Sequence, residues 1–133
     1  MMDLGLLIIR VVIGLLFAAH GAQKLFGWFG GYGLAGTGGW MESLGLKPGK
    51  TMALVAGLSE LIGGLLLMVG FLTPLAALLI AGTMVMAIAK VHLPNGLWST
   101  ANGYEYNLVI LAVVIGLALT GAGQYALDAL LFA

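Results

Sequence analysis

Arg10, His20 and Glu60 stand inside long apolar runs of this chain. A charged or titratable side chain at bilayer depth costs several kcal/mol, so it persists only when paired, wetted or put to use. At about 1.5 Å per residue, Arg10 falls roughly 10 Å and Glu60 roughly 15 Å from the same end of a helical bundle, and a guanidinium arm can cover the difference. This predicts an Arg10–Glu60 ion pair, either a structural lock between two helices or a substrate or proton site. A second group is denser. His20, Gln23, Lys24 and Gly27 are spaced three and four apart, which places them on one helical face. Lys90 and His92 close one apolar run, and Tyr104, Glu105 and Asn107 open the next, at the same depth as His20 and Lys24. Trp28, Trp40, Trp98 and Tyr106 fall nearby. One reading is a belt of interfacial aromatics with snorkelling lysines; the other is a polar pocket beneath loops. Snorkelling accounts for Lys24 and Lys90, but His20, Gln23 and Glu105 are too short to reach far, which favours the pocket.

These residues need elements to hold them. With 62% hydrophobic and 8% charged residues, the chain has too few polar side chains to cover a water-facing surface, since a soluble domain carries roughly 25% charged. Continuous apolar stretches near 20 residues, without period-2 alternation, predict membrane-spanning helices rather than barrel strands. The expected fold is all-α, a four-transmembrane-helix bundle forming one domain over 1–133, with spans at about 4–28, 51–70, 74–91 and 104–123. Pro74 suits a helix first turn. Met1-Met2-Asp3 lacks the positive start of a signal peptide, so the first segment is read as a retained helix. Small residues four apart recur in every span: Gly14 with Ala18, Ala53 with Gly57, Ser59 with Gly63, Ala77 with Ala81, Ala112 with Gly116. Such pairs allow close helix approach in lipid.

The turn at 70–73 is tight, whereas both long links, 30–50 and 92–103, lie at the opposite end, where lids and binding segments are expected. Zero net charge argues against nucleic acid as a partner. The absence of cysteine removes dithiol relays and cysteine-ligated zinc or iron–sulfur centres from the chain itself, and no metal site is expected.

The run His20-Gly21-Ala22-Gln23-Lys24-Leu25-Phe26-Gly27, followed by Phe29-Gly30-Gly31, resembles the first-helix signature of the DoxX family of small four-helix membrane proteins. The stretch 57–64 around Glu60, and Lys90, His92 and Trp98 leading to Gly103-Tyr104-Glu105-Tyr106-Asn107-Leu108, are similar to that family's other landmarks. The resemblance implies a prokaryotic inner or plasma membrane location and a link to quinone or catechol detoxification and oxidative stress. The family's polar positions fall on Arg10, His20, Lys24, Glu60, His92 and Glu105. Sulfur-compound oxidation, known for the archaeal namesake, is a weaker implication in a chain without cysteine.

Quinone reduction takes two electrons and two protons, which gives the residues a rationale as the membrane subunit of a quinone-linked oxidoreductase. Histidine titrates near neutrality, so His20 or His92 could donate; Lys24 or Gln23 could polarise a carbonyl, Glu105 could relay protons, and Phe26 and Trp98 could stack on the ring, with Lys90 and Tyr104 completing the binding wall. Electrons would come from a soluble or membrane redox partner subunit or a bound cofactor. Three alternatives stay open: a b-type haem on His20 and His92, for which two histidines alone carry little weight; a small-solute transporter using Arg10 and Glu60, which needs a homo-oligomer to widen its path; and a non-catalytic anchor for a soluble oxidoreductase. Lys24, Lys47, Lys50 and Lys90 on the long-link side place that side in the cytoplasm.

Overall fold

The computed structural model describes residues 1–132, and within them every regular element is helical. The helices are α1 (Met2–Phe26), α2 (Gly33–Ser43), α3 (Gly49–Val69), α4 (Thr73–Ala87), α5 (Glu105–Thr120) and α6 (Leu127–Phe132). Three stretches are long and apolar enough to cross a membrane: Met2–Phe26, Gly49–Val69 and Thr73–Asn95, of 25, 21 and 23 residues. The fourth expected span, α5, is apolar but has 16 residues. At about 1.5 Å per residue it is roughly 24 Å long, short of a hydrocarbon core of about 30 Å. The third span does not remain α-helical to its end, because Ile88–His92 widens into a π-helical turn.

α1 and α3 pack antiparallel along their length. A Cβ built on Gly14 would stand 2.5 Å from the Gly64 carbonyl oxygen, and one on Gly21 would stand 2.5 Å from the Leu61 nitrogen and 2.7 Å from the Gly57 oxygen. Backbone therefore lies on backbone, as small residues permit in lipid. The glycines that make this contact are seven apart on both helices, 14 and 21 against 57 and 64. Of the pairs spaced by four, Gly14 and Ala18 do lie in the interface, whereas Gly116 of the Ala112 pair has no atom near its absent side chain. α4 packs on both α3 and α5, and the common core is Phe17, Leu67, Ile80, Met84, Val114 and Leu117.

α2 lies within the first long link and packs on the N-terminal part of α3, with a smaller contact to α1. α1 stops at Gly27, a left-handed residue (φ 74°) whose N–H bonds the Gln23 carbonyl at 3.2 Å.

The tight turn at 70–73 is held by two charged side chains. Gly70 (φ 69°) ends α3 with 5→2 and 6→1 bonds, Gly70 N–H to Leu67 O and Phe71 N–H to Leu66 O. Arg10, fully buried, donates from Nη1 to the carbonyls of Leu67 (3.3 Å) and Met68 (3.1 Å) and from Nη2 to Tyr125 O (2.6 Å). It thus places a cation on the negative end of the α3 dipole and fastens the C-terminal segment to it. Asp128 does the converse for α4, accepting from Leu72 N–H (2.7 Å), Thr73 N–H (3.0 Å) and the Thr73 hydroxyl (2.7 Å) at that helix's N-terminus.

Burial pushes the Asp128 carboxyl up, but the bonds from Thr73 and Leu72 and the charge of Arg10 outweigh it and hold the group below its ordinary value of 3.8. A depressed folded value stabilises the fold above the unfolded value and loses that contribution as pH falls through the folded one. Thermal unfolding followed from pH 7 to pH 3 should show stability falling below about pH 4, and Asp128→Asn should lower stability at pH 7 while flattening that acid limb.

Candidate functional site

The ion pair inside the bundle is Lys24–Glu60, the only one among the described residues. This corrects the expected Arg10–Glu60 pair, and the helix register supplies the reason. Pairing Gly14 with Gly64 and Gly21 with Gly57 puts Arg10 level with Met68, about eight residues or roughly 12 Å from Glu60. Carbonyls of the last turn of α3, Leu67 and Met68, claim the guanidinium there. Lys24 lies about six residues or roughly 9 Å from the level of Glu60 on the other side, and its chain runs toward the bundle interior to close that gap. It does the opposite of snorkelling, because a buried carboxylate attracts it more than the nearby interface. Glu60 is 3% exposed.

The pair lies on the wall of a cavity of about 310 Å³ between α2, α3 and α4. Trp40, Met41 and Leu44 of α2 close one side; Met52, Val55 and Ser59 of α3 and Leu79, Thr83 and Met86 of α4 form the others. Val55, Leu78 and Met86, all in its lining, are themselves 47–68% exposed on the apolar outer surface of the helices, so the cavity opens on the side that an acyl chain would meet. Lys90 also lines it, carried there by the π-helical turn of α4. Such turns re-aim side chains and recur at functional sites. The Thr83 hydroxyl donates to Ile80 O at 2.8 Å, leaving its lone pairs free to accept. The wall is therefore largely apolar, with two lysines, one carboxylate and two hydroxyls.

Of the residues expected in one pocket, Lys24 and Lys90 line this cavity, together with Glu60; the others lie elsewhere. His20 is exposed on α1, and its Nδ1–H donates to Gln23 Oε1 at 3.2 Å. Gln23 in turn donates to Phe29 O (3.1 Å), bracing the turn after α1. Phe26 stacks on Trp28 at 4.9 Å in an exposed aromatic group and does not reach the cavity. His92, Tyr104 and Glu105 serve the second long link. The His92 Nδ1–H donates to Asn102 O (2.8 Å), the Tyr104 N–H to Gly96 O (3.0 Å), and Glu105 accepts from Ser99 N–H (3.2 Å). Trp98 projects from that link and is 64% exposed. The expected single pocket joining His20, His92 and Glu105 is thus not formed. These side chains hold loops, because a loop folded on itself must satisfy its own backbone groups.

Trp40, expected near the pocket level, does line the cavity, whereas Ser59 and Thr83 as cavity polar groups, and Met52 and Met86 as walls, are not foreseen from the sequence. Nothing local marks them; their convergence depends on α2 folding over α3.

The DoxX family model matches residues 5–93, a stretch that contains Lys24, Glu60 and Lys90. "Putative oxidoreductase CatD" of Bacillus subtilis (strain 168) is 35% identical over 130 residues, covering 98% of this chain and 89% of that protein. Inner membrane protein YqjF of Escherichia coli (strain K12) is 35% identical over 129 residues, covering 97% and 93%. Inner membrane protein YphA of the same organism is 30% identical over 128 residues, covering 92% and 87%. No solved structure matches the chain.

Proposed function

The chain belongs to the DoxX family of membrane proteins, and we propose that it is the membrane subunit of a quinone-linked oxidoreductase, docking a quinone or a similar lipid-soluble redox compound in the cavity between α2, α3 and α4. The observation that carries this reading is the placement of the Lys24–Glu60 pair on the wall of an apolar cavity that opens toward lipid. A structural ion pair needs no cavity beside it, and a void for lipid tails alone needs no charges.

The chemistry of the wall suits such a compound. A quinone ring is flat and apolar, with two carbonyl oxygens that only accept hydrogen bonds; its reduced form carries two hydroxyls that also donate. Lys24 and Lys90 are donors, Glu60 is an acceptor, and Ser59 and Thr83 are both. Met52, Val55, Leu79 and Met86 offer side chains that mould to a ring, methionine most readily. At about 310 Å³ the cavity is at the lower end for ligand pockets, roughly 300 Å³ and up, so it takes a ring and leaves an isoprenoid tail to the bilayer. A bound quinone supplies two-electron, two-proton redox chemistry. This chain's residues orient it, exclude water and hold a proton at Lys24 Nζ or Glu60, while electrons come from a partner subunit or a bound cofactor. The similarity to a protein whose name carries the word oxidoreductase supports the same reading.

Purified protein in lipid nanodiscs, titrated with a short-tailed quinone, should show saturable quenching of tryptophan fluorescence, most of which disappears in Trp40→Phe. Quenching that rises without saturation and persists in Trp40→Phe would mean partition into lipid alone, as a non-catalytic anchor would show.

A further inference from the structure

A second cavity, of about 560 Å³, lies between the end of α1, the link that follows it and α2, lined by Gln23, Tyr32, Thr37 and three glycines. Two residues, Lys24 and Trp40, are common to both linings. The two spaces differ in kind. The first is walled by aliphatic and methionine side chains at the helix surface. The second is also lined mostly by apolar atoms but carries a larger polar share, from an amide, a phenol and a hydroxyl, and lies at the end of the bundle where the exposed aromatics Trp28, Phe29 and Tyr32 stand, as they do where a membrane meets water. Gly30 on its wall, like Gly82 on the wall of the first, has no atom within 4 Å of where a Cβ would stand, so both spaces open outward. The Gln23 amide, the Lys24 ammonium and the Tyr32 and Thr37 hydroxyls on its wall, with room for several waters, suit it to hold water.

We propose that the site has two mouths: a water-filled vestibule under α2 and a lipid-facing cavity between α3 and α4, with the Trp40 indole as the partition and Lys24 as the group that reaches both. Glu60 and Lys90 are the other ionisable groups on the cavity side, and the Tyr32 phenol is the one on the vestibule side. As electrons from the partner subunit or cofactor reach a quinone in the cavity, Lys24 gives its oxygen a proton and is reprotonated from bulk solvent through the vestibule, so the Lys24–Glu60 pair is restored and the net uptake is two electrons and two solvent protons per quinone. This relay role rests on the quinone reading; the two-mouthed geometry does not.

The chain has no cysteine, so a single introduced thiol reports its own surroundings. Thr37→Cys places one in the vestibule and Ser59→Cys places one in the cavity, both replacing a small hydroxyl side chain. With the protein in nanodiscs, a charged, membrane-impermeant methanethiosulfonate should modify Thr37→Cys at least tenfold faster than Ser59→Cys, while uncharged N-ethylmaleimide should reach both. Adding Trp40→Leu to Ser59→Cys should raise its rate with the charged reagent toward that of Thr37→Cys. Equal rates at the two sites with Trp40 in place would overturn the partition. An unreactive Thr37→Cys would overturn the aqueous vestibule, and no change on Trp40→Leu in a folded protein would remove Trp40 as the barrier. The first comparison keeps Trp40, so it decides the partition even where Trp40→Leu fails to fold. Because the reagents are thiol-directed, absence of quinone binding leaves all these outcomes readable.

Discussion

Lys24→Met should weaken binding of a short-tailed quinone by at least tenfold and lower thermal stability, with a cost on the order of 3 kcal/mol. The cost comes from Glu60, which is 3% exposed and loses its counter-charge while remaining buried. Removing one partner of a buried pair is far more damaging than removing both, because the desolvation of the survivor is no longer offset. The double variant Lys24→Met with Glu60→Leu should therefore recover most of the lost stability. It should recover none of the binding, since the cavity would then lack its donor and its acceptor. Stability and binding thus separate across the three proteins, which a purely structural lock does not allow. Thermal melts and quinone titrations on the same nanodisc preparations would make the comparison. A double variant that still binds like the parent would show that the pair only orients helices.

Gly21→Val should abolish assembly of the bundle, and Gly21→Ala should destabilise it by about 1–3 kcal/mol. The neighbours that a side chain at 21 meets are Leu61 N and Gly57 O, both backbone, at 2.5 and 2.7 Å. Backbone in the middle of a helix cannot rotate away as a side-chain tip can, so α1 and α3 must separate. Separation is costly because this is the most extensive contact in the molecule, and in lipid its strength comes from close packing. It also moves Lys24 relative to Glu60, so quinone affinity should fall with stability even in the alanine variant. Gly82 and Gly116 have open space where a side chain would stand, and Gly82→Ala or Gly116→Ala should leave stability unchanged or slightly raised, since alanine favours helix by about 1 kcal/mol. Equal sensitivity at Gly21 and Gly116 would contradict the interface described.

Much of the fold can be read from the chain because membrane helices write themselves locally. A run of apolar residues ends at Gly27 or Gly70, or begins at Pro74, and the helices follow within a few residues. α2 escapes such reading. Gly33–Ser43 carries four glycines among eleven residues, a composition that disfavours helix in isolation. It is helical because it packs along α3, with Gly38 close against Lys50 and Gly49. The site was half legible for the same reason. Lys24, Glu60 and Lys90 stand out in the sequence by their types and depth. Their partners do not, because pairing depends on the register of α1 against α3, which no residue announces locally. Depth counted from a shared end assumed helices that start level; α1 in fact runs about seven residues past the end of α3 on the 70–73 side, since the register sets Ile9 level with Val69. The capping roles of Arg10 and Asp128 escape the sequence for the same non-local cause, since each is more than fifty residues from the helix-end groups it satisfies and reaches them only in the folded bundle.

The most direct test is where a photoreactive quinone attaches. An aryl-azide quinone, irradiated with the protein in nanodiscs and mapped by mass spectrometry, should label α3 between residues 52 and 60 and α4 between 79 and 91, with labelling suppressed by excess unmodified quinone. Labelling concentrated instead around His20, His92 and Glu105, or spread over lipid-facing positions and indifferent to competitor, would contradict the account.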